Sequence, residues 1–440
     1  MEPTARTAVL SPSYIRKSEL SIPKMFRDLS AVGIILISIV PEASSRYIFA
    51  PLFVLWVLFA AISNIRAFNR SFVTPNIKSY SVYIWLLTYF IFYITGYMQG
   101  ADVGRLLNYM RLGFSMLLFN YYLEANDLKA VKKLTIFSLV FIVLTCITTL
   151  RGLALDPMAA RVLATGREEL MQGLEGLAIG SFGFVYGLVF AVVAILGSIK
   201  AGTLEKHKII FTALIALFVY TIFSAAFMMA LLLLAVSVVL LLLNIKETSY
   251  LIIAAFGILV LFIVFSSTIS DFLNFLGNTV QHESLSQRFY EFAIMARHWG
   301  VEGTVNAEGR WGFLALSIGS FLASPILGVG GFYGFGASLH GIGGHSAFFD
   351  ELAKYGILGS GFLFVALYSN ARFVYRRLKS GKQRMVYYCS MTAFFILGFI
   401  NTLLFVPIFF MAYFVVPGII YSLNKDENGR SELNENTLVR

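Results

Sequence analysis

The chain has 440 residues, of which 58% are hydrophobic and only 13% charged, and it carries a formal net charge of +10. A soluble domain carries roughly 25% charged residues, so this composition excludes a soluble protein of this length, which would need more polar surface to cover itself. The basic residues are scattered through short loops and form no continuous basic face, which argues against a nucleic-acid partner.

The apolar residues come in blocks of about 17–25 residues without strand-type alternation, so the predicted elements are membrane-spanning helices. In chain order they are expected at 28–42, 47–65, 79–98, 107–123, 134–151, 177–198, 209–225, 227–244, 249–268, 346–369, 385–402 and 404–422. The first ends early at Pro41 and Glu42. With no small-residue cleavage site after a short apolar core, it reads as an uncleaved signal anchor. The block 209–244 is nearly uncharged for two spans, with a turn expected at 224–228. Cys146 and Cys389 both fall inside spans, so neither a disulfide framework nor a metal cluster is suggested. The expected fold is all-α: one polytopic membrane domain over 1–440 with about twelve transmembrane helices, a shorter outward loop at 152–176 and a large one at 267–345 that holds short helices.

Charge sets the expected orientation. Roughly two dozen of the 34 Lys and Arg fall in alternate loops that share one side: the N-terminal segment, 66–78, 129–133, 200–208, Lys246, 372–384 and the tail. The positive-inside rule then places both termini in the cytoplasm. The basic residues that resist this rule are Arg161 and Arg167 in the shorter outward loop, and Arg288, Arg297 and Arg310 in the longer one. Neither loop contains Lys. Arg makes forked contacts to phosphate oxygens, whereas Lys acts as a point charge. Two readings stand side by side here: an anion site, or local pairing with Asp156, Glu168, Glu169, Glu283, Glu308 or lipid headgroups.

Within the long outward segment, 285–299 reads as an amphipathic helix. A second helix at 310–322 is strongly apolar but too short to span, and Pro325 follows its end. Then comes GVGGFYGFGASLHGIGGH at 328–345, nearly half glycine. Gly328, Gly330 and Gly331 open a stretch that permits close backbone approach and anion-binding concavities, or else a flexible lid. It is not a dinucleotide fingerprint, since Tyr333 occupies the third glycine position. It is not a P-loop, and Ser338 lacks the flanking glycines of a nucleophile elbow. His345 follows, with Ser346 as candidate N-cap. Asp350 and Glu351 lie one turn on, and Lys354 is spaced to pair with Asp350. Ionisable residues at the mouth of a span are candidates for function.

The run His345-Ser346-x-Phe348-x-Asp350-x-Leu352-x-x-Tyr355-Gly356-Ile357-Leu358-Gly359 resembles the histidine-containing signature of the O-antigen polymerase and O-antigen ligase superfamily. Arg310-Trp311 followed by Ala323-Ser324-Pro325-Ile326-Leu327-Gly328-Val329-Gly330 resembles its "Arg … Pro-x-x-Gly-x-Gly" stretch. Ser284-Leu285-x-x-Arg288 resembles an element common in polymerases, and Ala160-Arg161-Val162-Leu163 with the span after it resembles the family's shorter outward loop. Ligases more often carry Asn where Ser346 stands, which favours the polymerase.

The resemblance implies a GT-C-like glycosyltransferase of the bacterial inner membrane. It would act on the periplasmic face, where it joins undecaprenyl-pyrophosphate-linked repeat units into long surface polysaccharide. It implies no metal or nucleotide-sugar cofactor, and as partners the lipid-linked glycans, the bilayer and a chain-length regulator. Arg161, Arg288 and Arg310, with Arg167 in reserve, would steady the pyrophosphate leaving group. His345 would act as general base, with Asp350 or Glu351 orienting or replacing it. The rivals are the ligase that transfers polymer to lipid A core, and a transporter or flippase. Against the latter stand the lack of an internal repeat, a longest loop that follows the ninth span and not the midpoint, and few charges mid-membrane.

Overall fold

The computed structural model describes residues 22–41, 46–97, 103–165, 177–204, 207–243, 253, 257, 260–261, 263–280, 283–299, 310–330 and 341–422. Half of the expected span 249–268 lies outside them, as do Arg167, Gly331, the N-terminal segment and the tail. Every element among the described residues is a helix. They are α1 (Ile22–Ile39), α2 (Arg46–Ser63), α3 (Ile65–Phe68, continued by a π turn at Asn69–Val73), α4 (Ile77–Ile94), α5 (Val103–Glu124), α6 (Leu128–Leu155), α7 (Ala159–Thr165), α8 (Phe182–Lys200) and α9 (Lys208–Ser224). They continue with α10 (Met228–Leu243), α11 (Ser266–Thr279), α12 (Glu283–Trp299), α13 (Arg310–Ala323), α14 (Ala347–Arg377), α15 (Gly381–Ile400), α16 (Val406–Phe410), a π segment (Met411–Val415) and α17 (Val416–Ser422).

The chain is a helical membrane protein. Four described helices, α4, α6, α8 and α14, are long and apolar enough to cross a bilayer, and the pair formed by α2 and α3, bent by 120°, makes five if it counts as one span. Several others are apolar but shorter, such as α9 with 17 residues and α10 with 16. The apolar exterior has the matching character: Ile136, Val140, Leu144 and Ile147 form an exposed stripe down α6. Such a stripe suits lipid and would be a liability in water. α8, apolar on every side, is the central post, with its interior face wrapped by α9, α10, α15 and α17.

Two ends of the bundle are distinct. At one, Arg27 pairs with Asp127 (2.7 Å) and Asp28 (2.7 Å), and Glu124 receives both Lys78 (3.2 Å) and Arg377 (3.2 Å). Asn370 joins the set through Asn120 (2.5 Å) and the Lys78 carbonyl (2.9 Å). These bonds tie α1, α4, α5, α6 and α14 together, and they come from loops that the charge pattern assigns to one side. The opposite end gathers α7, the turns before α8 and α10, and the start of α14. The polar lock and the start of α14 are thus separated by the length of the helices.

Three expectations need correcting in detail. The span expected from residue 177 begins as helix only at Phe182. Residues 177–181 are non-helical, with Ala178 at φ 48°, because the Thr148 hydroxyl takes the Ala178 carbonyl (2.9 Å) and Thr149 takes the Gly180 N–H (2.8 Å). Hydropathy does not register that competition from side chains. Residues 266–279, assigned mostly to a loop, form the helix α11, which packs against α12.

The third correction matters most: α14 is two helices broken at Gly356 (φ 59°, ψ −167°). In an unbroken helix the carbonyls of Ala353 and Lys354 would accept from the N–H groups of Ile357 and Leu358. Here the segment Pro325–Gly330 takes all four groups. Val329 and Gly330 donate to Ala353 (2.8 Å) and Lys354 (3.1 Å), while Ile357 and Leu358 donate to the carbonyls of Pro325 (2.8 Å) and Ile326 (3.1 Å). Two helix bonds are replaced by four bonds to an inserted strap. The fit requires glycine: a Cβ on Gly328 would overlap the Lys354 carbonyl, and one on Gly356 the Ile326 carbonyl. The remaining part, Ile357–Arg377, is about 32 Å long at 1.5 Å per residue, enough to cross the hydrocarbon core unaided.

Gly328→Ala and Gly356→Ala should therefore each destabilise the protein by at least about 3 kcal/mol. Gly361→Ala, in open space on the same helix, should leave stability unchanged or slightly raised. Thermal unfolding of the detergent-purified protein checks this, and equal midpoints for all three variants would refute the strap.

Candidate functional site

The half-helix 347–355 is held at its N-terminus by an unusual density of polar contacts. Ser346 is the N-cap: its hydroxyl accepts from the Phe349 N–H (3.5 Å) and donates to the Gly398 carbonyl (3.3 Å). The Ala347 N–H donates to the carbonyl of Asn401 (3.0 Å), whose amide donates to Tyr186 Oη (3.1 Å). First-turn N–H groups of a helix need partners from outside its own ladder, and here Asn401 supplies one for Ala347 and the Ser346 hydroxyl one for Phe349.

Asp350 is buried and accepts three hydrogen bonds. Ser317 donates from α13 (2.6 Å), Gly344 donates its N–H to Oδ1 (3.2 Å), and Ser346 donates its N–H to Oδ2 (3.2 Å). Gly344 and Ser346 flank His345, so one carboxylate grips the backbone on both sides of the histidine. Ser317 also accepts from the Gly343 N–H (3.0 Å), and Ser320 donates to the Gly341 carbonyl (2.6 Å). The His345 ring lies half-buried beside that of Phe313, with centroids 4.6 Å apart. The approach to His345 is thereby built on α13.

Glu351 points elsewhere. It is buried, pairs with Lys354 (3.3 Å) and accepts from Tyr109 (3.5 Å), while its Oε2 has no hydrogen-bond partner. Tyr109 and Tyr355 hydroxyls lie 3.4 Å apart, and the rings of Tyr89, Phe92 and Tyr355 pack around them. The ion pair expected between Lys354 and Asp350 is instead an i,i+3 pair with Glu351, because Asp350 is already committed to backbone donors. Charge is thus buried beside an apolar span and is met on Oε1, by Lys354 and Tyr109.

The sequence-predicted arginines converge on the same end to different degrees. Arg161 on α7 donates to the carbonyl of Ala226. The next residue, Phe227, meets Phe182 edge-on and Tyr186 at a tilt, and Tyr186 is the partner of Asn401 beneath the His345 helix. Arg288 lies on α12 one turn before Phe292, which meets Phe223 beside the same turn (5.8 Å). Arg310 opens α13, one turn before Phe313. Arg297 pairs with Asp271 at the exposed face of α11 (3.3 Å), a local pairing, though with an acid not among those expected from the sequence. Arg167 and Gly331 lie outside the described residues. Gly328 and Gly330 sit in the strap, where Tyr97 donates to the Gly328 carbonyl (2.6 Å) and a Cβ on Gly330 would overlap the Tyr97 carbonyl. Their role in the structure is backbone packing.

Several members were missed in the sequence. Ser317 and Ser320 could have been noticed as an i,i+3 polar pair on an otherwise apolar helix. Arg105, one turn before Tyr109 on α5, meets the same criterion as the other outward arginines. Tyr109, Asn401 and Tyr186 carry no local signal. Among the described residues no group of three or more His, Cys, Asp or Glu comes together. No family model matches the chain, and no curated protein matches it either.

Asp350→Asn should loosen the histidine segment, because an amide nitrogen would face a backbone donor where a carboxylate oxygen now accepts. The expected cost is about 1–3 kcal/mol, read as faster hydrogen exchange over 341–349. Unchanged exchange there would show that the carboxylate does not hold the loop.

Proposed function

We propose that this protein is a lipid-linked oligosaccharide polymerase of the inner membrane, a GT-C-like glycosyltransferase with about twelve spans, cytoplasmic termini and a periplasmic site. The observation that carries the reading is the threading of the Pro325-x-x-Gly328-x-Gly330 strap into the break of the helix that follows His345. Two of the four stretches on which the family resemblance rests form one physical unit, with a histidine at its mouth and the helices bearing Arg161, Arg288 and Arg310 at the same end.

In the proposed reaction an acceptor sugar hydroxyl attacks the anomeric carbon of the donor glycan. The bond from that carbon to the pyrophosphate oxygen breaks, and the lipid pyrophosphate leaves with the electron pair. Arginine guanidinium groups offset the charge that develops on the leaving group. His345 takes the hydroxyl proton as general base, at a position held by the grip of Asp350 on its flanking amides. Glu351, enclosed with Lys354 and the tyrosines, supports the half-helix from behind. The partners are undecaprenyl-pyrophosphate-linked glycans and a chain-length regulator.

His345→Ala and Arg288→Ala should each reduce polymer by about 100-fold or more, leaving single repeat units on the lipid A core, as read by glycan ladders from cells that depend on this chain. Normal ladders in both variants would overturn the residue assignment. Deletion of the chain discriminates the rivals: lipid-linked repeats trapped on the cytoplasmic face mean a flippase, and long polymer left on the carrier lipid means a ligase.

A further inference from the structure

A cleft of about 640 Å³ runs between α14 and α15, away from the His345 loop. Its walls are largely aromatic, among them Phe349, Tyr368, Tyr388 and Phe399, and the one charged residue among its described lining is Arg372. Arg372 lies at the end of the bundle that carries the Arg377–Glu124–Lys78 lock, exposed and 5.8 Å from the Tyr368 ring. Arg384 stands beside the same mouth, 5.7 Å from the ring of Tyr375, which also lines the cleft. One turn further along α15 is Tyr387, a lining residue only 1% exposed, whose hydroxyl has no hydrogen-bond partner.

We propose that this cleft binds one anionic glycerophospholipid of the adjoining leaflet, with its phosphate at Arg372 and Arg384 and an acyl chain along the aromatic wall. The dimensions agree: from Tyr387 to Phe399 the wall is about 18 Å long at 1.5 Å per residue, close to the half-thickness of a hydrocarbon core, about 15 Å. The polarity agrees as well. Guanidinium groups at the mouth of a cleft between transmembrane helices are suited to a lipid phosphate. Tyr387, one turn deeper than Arg384, lends its ring to the wall, while its hydroxyl is enclosed within the bundle. The opposite end lacks such a mouth: Phe348 and Phe399 close it in ring contact (4.8 Å), and Ser346 and Asn401 beyond them are already hydrogen-bonded. The direction of the cleft therefore assigns the headgroup to the basic end and not to the His345 end.

Native mass spectrometry of the full-length, delipidated protein tests this with phosphatidylglycerol, phosphatidylcholine of the same acyl chains, and a polyprenyl phosphate. One phosphatidylglycerol should be retained about tenfold better than phosphatidylcholine, because both carry the phosphate but the choline cation of phosphatidylcholine is repelled by the two guanidinium groups. Arg372→Gln should abolish the preference. Equal retention of the two phospholipids, a preference that survives Arg372→Gln, or polyprenyl phosphate displacing phosphatidylglycerol equally from wild type and Arg372→Gln would each overturn the proposal.

Discussion

A helix that breaks beside a bilayer exposes backbone groups with no water to receive them, and each unsatisfied group there costs several kcal/mol. The break at Gly356 frees two carbonyls and two N–H groups, and the Pro325–Gly330 strap receives all four. Much of the architecture at the His345 end follows from that accounting. The strap must come within backbone contact of α14, so Gly328 and Gly356 have no room for a side chain. Because the strap continues directly from α13, its insertion also fixes α13 against the half-helix. Ser317 then meets Asp350, and Asp350 holds the amides on both sides of His345.

The break also resolves a conflict within α14. A single straight helix would carry Asp350, Glu351 and Lys354 into line with an apolar span. Dividing it leaves Ile357–Arg377 to cross the membrane and leaves the charged turn in a separate half-helix, where serines, tyrosines and backbone amides surround it. Glu351 and Asp350, adjacent in sequence, thereby acquire different environments. One is enclosed with Lys354 and the tyrosines, and the other is spent on backbone donors.

The two ends of the bundle divide the labour. One is locked by ion pairs through Arg27, Lys78, Glu124, Asp127 and Arg377, which hold five helices in register. The other has its helix ends met by side chains and turns: Asn401 under Ala347, Thr149 under Gly180, Arg161 on Ala226. That arrangement leaves polar groups concentrated at one face over a rigid base, which is the organisation a site on a membrane surface needs.

Much of the scaffold was legible in the residues. Long apolar blocks specify helices because a backbone in lipid has few other ways to satisfy itself. Alternating basic loops anticipated which turns share an end, and Ser346 announced its capping role by type and place. Arg161 was legible as a charge that resists the topological bias, and His345 and Asp350 as ionisable residues at the mouth of a span. The break in α14 was not legible, because hydropathy counts side chains and Gly356 differs from any other helix glycine only once a second segment lies against it. The roles of Asp350 and Glu351 were not legible either, since adjacent carboxylates are told apart only by what packs on each face. The sequence by itself determined a membrane bundle with one polar mouth. Tertiary structure decided which backbone groups go unpaired at the break and which distant residues supply the missing partners, because hydrogen bonds across hundreds of residues are set by packing and not by local pattern.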